Sequence, residues 1–293
     1  MTSSTRRPTA IGLIAVCLFA GVLAAGCAAS RTSALEKGDS AGETVSGDFE
    51  TTLDQADTHW ARRGDRAELE RAIELYEDAV HIEPTGLAED AYNDRVARTY
   101  ERLSRAYFFL ADAHIRLSAE DEDAVKDQMM DTFDKGVAAA ERAIERRAPE
   151  FVRKVNQGEK WRDEVVDADP AAIPGLYWYA ANLWEWAMLE GVATILARKG
   201  DIEATLGFVC DKREDFFYGA CHRYLGVYWV SIPFEKDAKK ARKHFDVAGE
   251  MAPGYLATNV LEARHLAVHE QDREMFGRLL EQEIGRASCR ERV

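Results

Sequence analysis

The sequence lacks most of the signatures by which a chain announces chemistry. It has no glycine-rich phosphate loop of the form G-x₄-G-K-[ST]; Gly158-Glu159-Lys160 stands without the companion residues. No G-x-S-x-G nucleophile turn and no H-E-x-x-H zinc motif occur. The acids at 120–123 lack the alternating ligands and the glycine of a calcium loop, and read as a solvated connector. No cluster of Lys and Arg with interleaved aromatics offsets the acidic excess. Lys and Arg number 38 against 52 Asp and Glu, a formal charge of −14, which repels phosphate backbones and argues against a nucleic-acid partner. Period-two alternation is almost absent, so sheet-based folds are not expected. Nothing calls for a cofactor, and no enzyme activity is expected.

What is present is a phrase used twice. Ala72, Tyr76, Ala79 and Pro84 have the same spacing as Ala241, Phe245, Ala248 and Pro253, and a Trp stands twelve residues before the first Ala in each copy, Trp60 and Trp229. Small residues let a neighbouring helix approach closely, the aromatic fills the gap between helices, and Pro stops the helix. Gly136, Ala140 and Ala143 repeat the small-residue part, with Pro149 one residue late. This is the second half of a tetratricopeptide-type helix pair, a unit that buries its apolar face only by stacking. The expected fold is therefore all-α, a solenoid-like stack of degenerate helix pairs over residues 49–282. A long helix is expected from about Glu89 to Leu117, one short helix around Trp161, and an apolar helix from Gly175 to Lys199 ended by Gly200-Asp201. Leu176 to Leu189 leaves almost no polar face, which predicts burial on all sides in the middle of the array.

The N-terminus carries an address. Arg6 and Arg7 precede an apolar stretch, Ile11 to Ala25, too short to span a bilayer comfortably. It closes on Leu23-Ala24-Ala25-Gly26-Cys27, the pattern of a bacterial lipobox, with residues 1–26 as leader and Cys27 as the lipid-bearing first residue. Several acyl chains make a stable anchor where one does not. Ala28 and Ala29, with no Asp after the Cys, favour the outer membrane over inner-membrane retention. Residues 27–48, rich in Ala, Ser, Gly and Thr, are expected to be a flexible tether with a reach of about 25–30 Å. Residues 283–293 do not continue the apolar stripe of Met275, Phe276, Leu279 and Leu280, and are read as a non-native tail.

Candidate site residues concentrate in the C-terminal half. Tyr177, Trp178, Trp184 and Trp186 share one helix, with Phe216, Phe217, Tyr224, Tyr228 and Trp229 close in sequence. Such a group lines either an apolar cavity or a helix–helix core. Asn182 and Glu185, three apart on that helix, are the polar pair expected to orient a ligand, the alternative being pairing with neighbours. Asp112 and His114 point to different faces and are read as structural. His265 and His269, four apart, have no evident third ligand and read as a groove-lining pair rather than a metal site. Cys210 and Cys221 are either a disulfide, if the chain turns over 211–215, or two buried thiols.

Lipobox, tether and degenerate repeats together resemble the T-component (TatT) lipoproteins of TRAP-type transporters. The resemblance rests on Gly219-Ala220-Cys221-His222-Arg223-Tyr224-Leu225-Gly226-Val227-Tyr228 and on Ala238-Lys239-Lys240-Ala241-Arg242-Lys243-His244-Phe245. It continues through Ala248 and Pro253 to Leu261-Glu262-Ala263-Arg264 and Gln271-Asp272-Arg273, and takes in the aromatic helix Tyr177 to Met188. It spans about residues 49–282, and departs in the Pro233–Asp237 loop, where the family usually shows a glycine pair. The resemblance implies a non-enzymatic periplasmic protein, trimeric in the family's manner, that docks the extracytoplasmic solute-binding protein of a TRAP transporter and holds a small, hydrophobic ligand. A tetratricopeptide lipoprotein of envelope assembly, serving outer-membrane protein insertion or pilus secretion, is the alternative reading.

Overall fold

The computed structural model describes residues 31–36, 45–83 and 85–290, and the side chains of these up to residue 281. The leader, Cys27 and Pro84 lie outside them. Among the described residues there is no strand, and no helix is long and apolar enough to cross a membrane.

The two copies of the repeated phrase fold alike. In the first, α1 (Phe49–Ala61) packs on α2 (Arg66–Ala79). Asp65 caps α2 by accepting from the amides of Ala67 and Glu68. Ala72, Tyr76 and Ala79 then lie on its fully buried stripe, and Tyr76 donates to Asp57 at 2.6 Å. The next pair is α3 (Glu89–Phe109) with α4 (Lys126–Arg147), joined by a π-helical turn (Leu110–Ile115) and two 3₁₀ turns (Arg116–Ser118 and Glu122–Val125). The expected single helix near Trp161 is two short ones, α5 (Pro149–Asn156) and α6 (Trp161–Glu164).

The apolar helix is α7 (Ile173–Glu190), packed against α3, α4, α8 and α9, as a helix apolar all round requires. Its end differs from the expected one. The break falls at Gly191, with φ 126°, a conformation open to glycine. Gly200-Asp201, expected to end the helix, sits inside α8 (Val192–Arg213). A Cβ on Gly200 would lie 2.7 Å from Arg162 Nη1, so the glycine there makes room for a side chain from α6.

The second copy is α9 (Ala220–Ser231) with α10 (Ala238–Met251), capped by Asp237 as α2 is by Asp65. Ala241, Phe245 and Ala248 are buried, and the Phe245 ring rests where a Cβ on Gly226 would be, 2.8 Å away. The chain finishes with α11 (Leu256–Leu261), a second π-helical turn (Glu262–Ala267), α12 (Val268–Glu270) and α13 (Arg273–Arg290).

Residues 31–36 are not a free tether: they form a strap docked on α4. Both Nη atoms of Arg31 donate to the Glu141 carboxylate at 2.8 Å, joined by the Ser33 hydroxyl and the Ala34 amide at the same distance. Glu141 is 2 % exposed, and Leu35 is buried beside it. Composition did not reveal this, because the docking partner is a single carboxylate 110 residues away.

Candidate functional site

The aromatic residues close around a cavity of about 190 Å³ between α3, α7, α9 and α11. Phe108 and Phe109 enter from α3, Tyr177 and Trp178 from α7, Tyr224 from α9, and Phe217 and Tyr255 from the turns before α9 and α11. Their rings meet mostly edge to face: Tyr177 and Tyr224 at 5.8 Å and 87°, Trp178 and Phe217 at 5.4 Å and 66°. This geometry suits the ring quadrupoles and sets a wall of defined shape.

The turn that delivers Phe217 is unusual. Phe217, Tyr218 and Gly219 are all left-handed, with φ of 47°, 62° and 70°. Two non-glycine residues in that region cost on the order of 1–3 kcal/mol each, so the surroundings must hold them. Two devices do so. The buried Arg223 donates to the carbonyls of Phe217 (2.7 Å) and Tyr218. Cys210 in the last turns of α8 and Cys221 in the first turn of α9 are joined as a disulfide, with Cα atoms 5.6 Å apart.

The polar end of the cavity is built from the two π-helical turns. Asp112 comes from the first, Arg264 and His265 from the second, and Asp112 and Arg264 face each other at 3.7 Å. Arg116 binds Asp112 and, at 2.8 Å, Glu185. Such turns recur at functional sites because they push a side chain out of the helical register. Burial, and then the neighbouring Glu185, raise the Asp112 carboxyl above its ordinary range despite Arg116. Burial, then Arg264 and Arg116, push His265 down to about 4, so it is neutral at pH 7. Burial raises Tyr177 and Tyr224, whose phenols stay protonated.

Eight of the side chains singled out from the sequence divide. Tyr177, Trp178, Glu185 and Tyr224 line the cavity. Trp184 packs on Tyr228, ring centroids 5.3 Å apart, and borders an adjoining cleft that shares Glu185, Arg264 and His265 with the cavity. Tyr228 donates to Glu203 at 3.1 Å, and Trp229 is half-buried under Lys240, whose Nζ is 3.8 Å from its ring. Asn182 does not join Glu185: its amide donates to the Trp178 carbonyl (2.9 Å) and to Ser104, inside the contact of α3, α4 and α7. Glu185 pairs with Arg116 instead. Asp112, read from the sequence as structural, faces the cavity. His114 accepts no such role, its Nε2 lying 2.9 Å from the Arg63 carbonyl.

Among the described residues the one grouping of His, Cys, Asp and Glu close enough to share an ion is Cys210, Cys221 and His222, and its two sulfurs are bonded to each other. Phe109, Asp112, Arg223 and Tyr255 were missed because nothing local marks them. They are brought together by packing between elements far apart in the chain. The π-helical turn at Asp112 had no sequence signal at all, since its residues keep ordinary helical spacing.

The cavity walls from α3 to α11 fall within residues 106–285, the stretch that matches the family described as TRAP transporter T-component. No curated protein matches the chain. With well over half its length in that match, the chain belongs to the TRAP transporter T-component family.

Proposed function

We propose that the protein is a lipid-anchored, periplasmic, non-enzymatic adaptor. It docks the extracytoplasmic solute-binding protein of a TRAP-type transporter and holds a small, largely apolar ligand in the aromatic cavity. The observation that carries this reading is that the family match spans the elements that build the cavity.

The strap gives the anchor a geometry. Cys27 precedes Arg31 by four residues, a span of at most about 14 Å when fully extended. A docked strap therefore keeps the body close to the bilayer, well inside the reach of a free tether. Tyr179 and Leu183 of α7 line the groove under the strap, while Tyr177, Trp178 and Glu185 line the cavity. At about 100° per residue these two sets sit on roughly opposite faces of α7. In this arrangement the strap side is turned to the outer membrane's inner leaflet and the cavity to the partner.

The test is co-purification of the acylated protein with the transporter's solute-binding protein. A complex at micromolar concentration is expected; its absence counts against the adaptor role. Light scattering of the purified protein reads the assembly, for which a trimer is expected. Mass spectrometry of the N-terminal peptide reads the anchor, with acyl groups on Cys27 as the expected result.

A further inference from the structure

Where α8, α9 and α10 meet, the side chains that favour a metal ion gather in one place, and none of them lines the aromatic cavity. Cys210 and Cys221 are bonded, and a ring nitrogen of His222 lies within 4.8 Å of both sulfurs. His244 of α10 meets His222 with the two Nδ1 atoms 2.8 Å apart. Glu214, directly after α8, faces His222 Nε2 at 2.9 Å. Cys221 is fully buried and the His222 side chain only 11 % exposed, so bulk water has little access to the group; Cys210 is the less buried of the two cysteines.

The contacts fix the tautomer of His222. Glu214 accepts from Nε2, which keeps the ring proton there and leaves a lone pair on Nδ1. A carboxylate behind one ring nitrogen and an open lone pair on the other is the arrangement of a metal-ligating histidine. That lone pair is aimed at His244 Nδ1. With the His244 proton on Nδ1 the two rings share a hydrogen bond; with it on Nε2, two lone pairs converge on one point. Nitrogens about 2.0–2.1 Å and sulfurs about 2.3 Å from a tetrahedral zinc stand about 3.3–3.8 Å from one another. The two Nδ1 atoms are already near that spacing, and the His222 nitrogen is at most 4.8 Å from each sulfur. Bonded to each other, the sulfurs are poor ligands; as two thiolates they are among the best that zinc finds in a protein.

We infer that Cys210, Cys221, His222 and His244 form a closed zinc site in the reduced protein, with Glu214 orienting His222, so that disulfide and ion are alternative clasps on one turn. The inference stands apart from the reading of the cavity as a ligand site. Exchange between the clasps takes a dithiol reductant. One of its thiolates attacks the Cys210 sulfur, the S–S bond breaks and Cys221 leaves as thiolate; the reductant's second thiol then resolves the mixed disulfide, and the reductant departs as its own disulfide. Two electrons and two protons pass to the cysteines, and zinc binding releases both protons to solvent. Two thiolates cancel the charge of the ion and the imidazoles bind as neutral bases, so the loaded site brings no net charge into a nearly buried place. Phe217, Tyr218 and Gly219 lie between the two cysteines, so either clasp closes the left-handed turn. Four protein ligands leave no position for a substrate, which makes the site a structural one.

The mature protein, reduced with a phosphine and freed of it under inert gas, is titrated with zinc against a chromophoric chelator, beside the oxidised protein. The reduced form is expected to hold one zinc per chain roughly 100-fold more tightly than the oxidised form, and zinc should restore most of the melting temperature lost on reduction. Cobalt in its place should show thiolate-to-metal charge-transfer absorption and the visible bands of a tetrahedral ion. Cys210→Ser with Cys221→Ser, which leaves Cys289 in place, should abolish binding. His222→Gln and His244→Gln should each weaken zinc in the reduced form about ten-fold or more, with circular dichroism of the oxidised variants as the check on folding. No zinc on the reduced protein, equal affinity in both redox states, or binding that survives the double serine variant overturns the inference. So does a histidine variant that binds zinc as tightly as the parent, because the closed four-ligand site then does not exist.

Discussion

Arg31 and Glu141 form a two-pronged pair, each Nη 2.8 Å from its own carboxylate oxygen, with side chains only 5 and 3 % exposed. Glu141 sits on the core face of α4, where a carboxylate is tolerable only with its charge and lone pairs met. Among the described residues, all its hydrogen-bond partners come from the strap. The pair thus makes the strap part of the folded unit. Glu141→Ala leaves Arg31 with Asp134 as its one remaining carboxylate among the described residues, and leaves the Ala34 amide without its acceptor. Removing one member of a buried pair costs on the order of 3–5 kcal/mol, and some of that is recovered here if the strap lifts into water. The expected result is a fall in urea midpoint together with fast amide exchange over residues 31–36. Slow exchange in the variant means the strap has another hold.

Gly136 of α4 faces Asn182 of α7 so closely that a Cβ would lie 2.2 Å from Asn182 Oδ1. Asn182 cannot swing away without losing Ser104 and the Trp178 carbonyl. Gly136→Ala is therefore expected to destabilise the protein by about 1–3 kcal/mol, although alanine is the better helix former. The double variant with Asn182→Ala should recover part of that loss, because the smaller side chain vacates the space. Denaturant melts of the two single variants and the double variant give the coupling. Additive losses would mean the clash is relieved elsewhere.

The architecture was legible from the repeats and the apolar helix because both are local patterns with a fixed physical meaning. Small residues at close contacts and aromatics between helices put Ala72, Tyr76, Ala241 and Phe245 in the core, and they are buried. The helix break was misjudged because Gly-Asp is a good stop signal on average. Gly200 is instead used to seat Arg162, a tertiary reason invisible in one segment. The cavity was half legible. Tyr177, Trp178 and Tyr224 declared themselves by aromatic density, whereas Asp112 and Arg223 matter through geometry set by π-helical turns and left-handed residues. Asn182 was a polar residue on an apolar helix, and its partners are two backbone carbonyls and the Ser104 hydroxyl rather than a ligand-facing Glu185.

His222 on α9 and His244 on α10 meet with their Nδ1 atoms 2.8 Å apart, and His222 Nε2 faces Glu214 at 2.9 Å. Burial, then His222, then Lys243 and Lys240, hold His244 down at about 4, against an ordinary 6.5. A base with a lowered folded pKa gives stability that is full above 6.5. The stability is lost as pH falls toward 4, because the unfolded chain takes up a proton that the folded one refuses. For a half-exposed group the loss is on the order of 1–2 kcal/mol. Partly buried Glu101, Asp112, Asp201 and Glu262 are raised by burial and act in the opposite sense. The His244 share is therefore read by difference. His244→Gln should destabilise less at pH 4.5 than at pH 7.5, and an equal cost at both would refute the assignment.

The bond between Cys210 and Cys221 closes the segment that carries Phe217 and Tyr218 in left-handed conformations. An unfolded chain freed of that bond regains loop entropy, worth roughly 3 kcal/mol for a loop of about this length. The folded turn loses one of its two restraints, and Arg223 alone holds the carbonyls of Phe217 and Tyr218. Two effects should follow from Cys210→Ser with Cys221→Ser. Thermal stability falls by about 2–4 kcal/mol equivalent, the typical contribution of a disulfide. The Phe217 wall of the cavity also loosens, so affinity for a one-ring apolar probe such as toluene drops while the circular dichroism at 20 °C stays that of the parent. The two readouts part company if the turn is held by Arg223 alone: stability falls and binding does not. That outcome would assign the disulfide to stability only, and make Arg223 the sole positioner of Phe217.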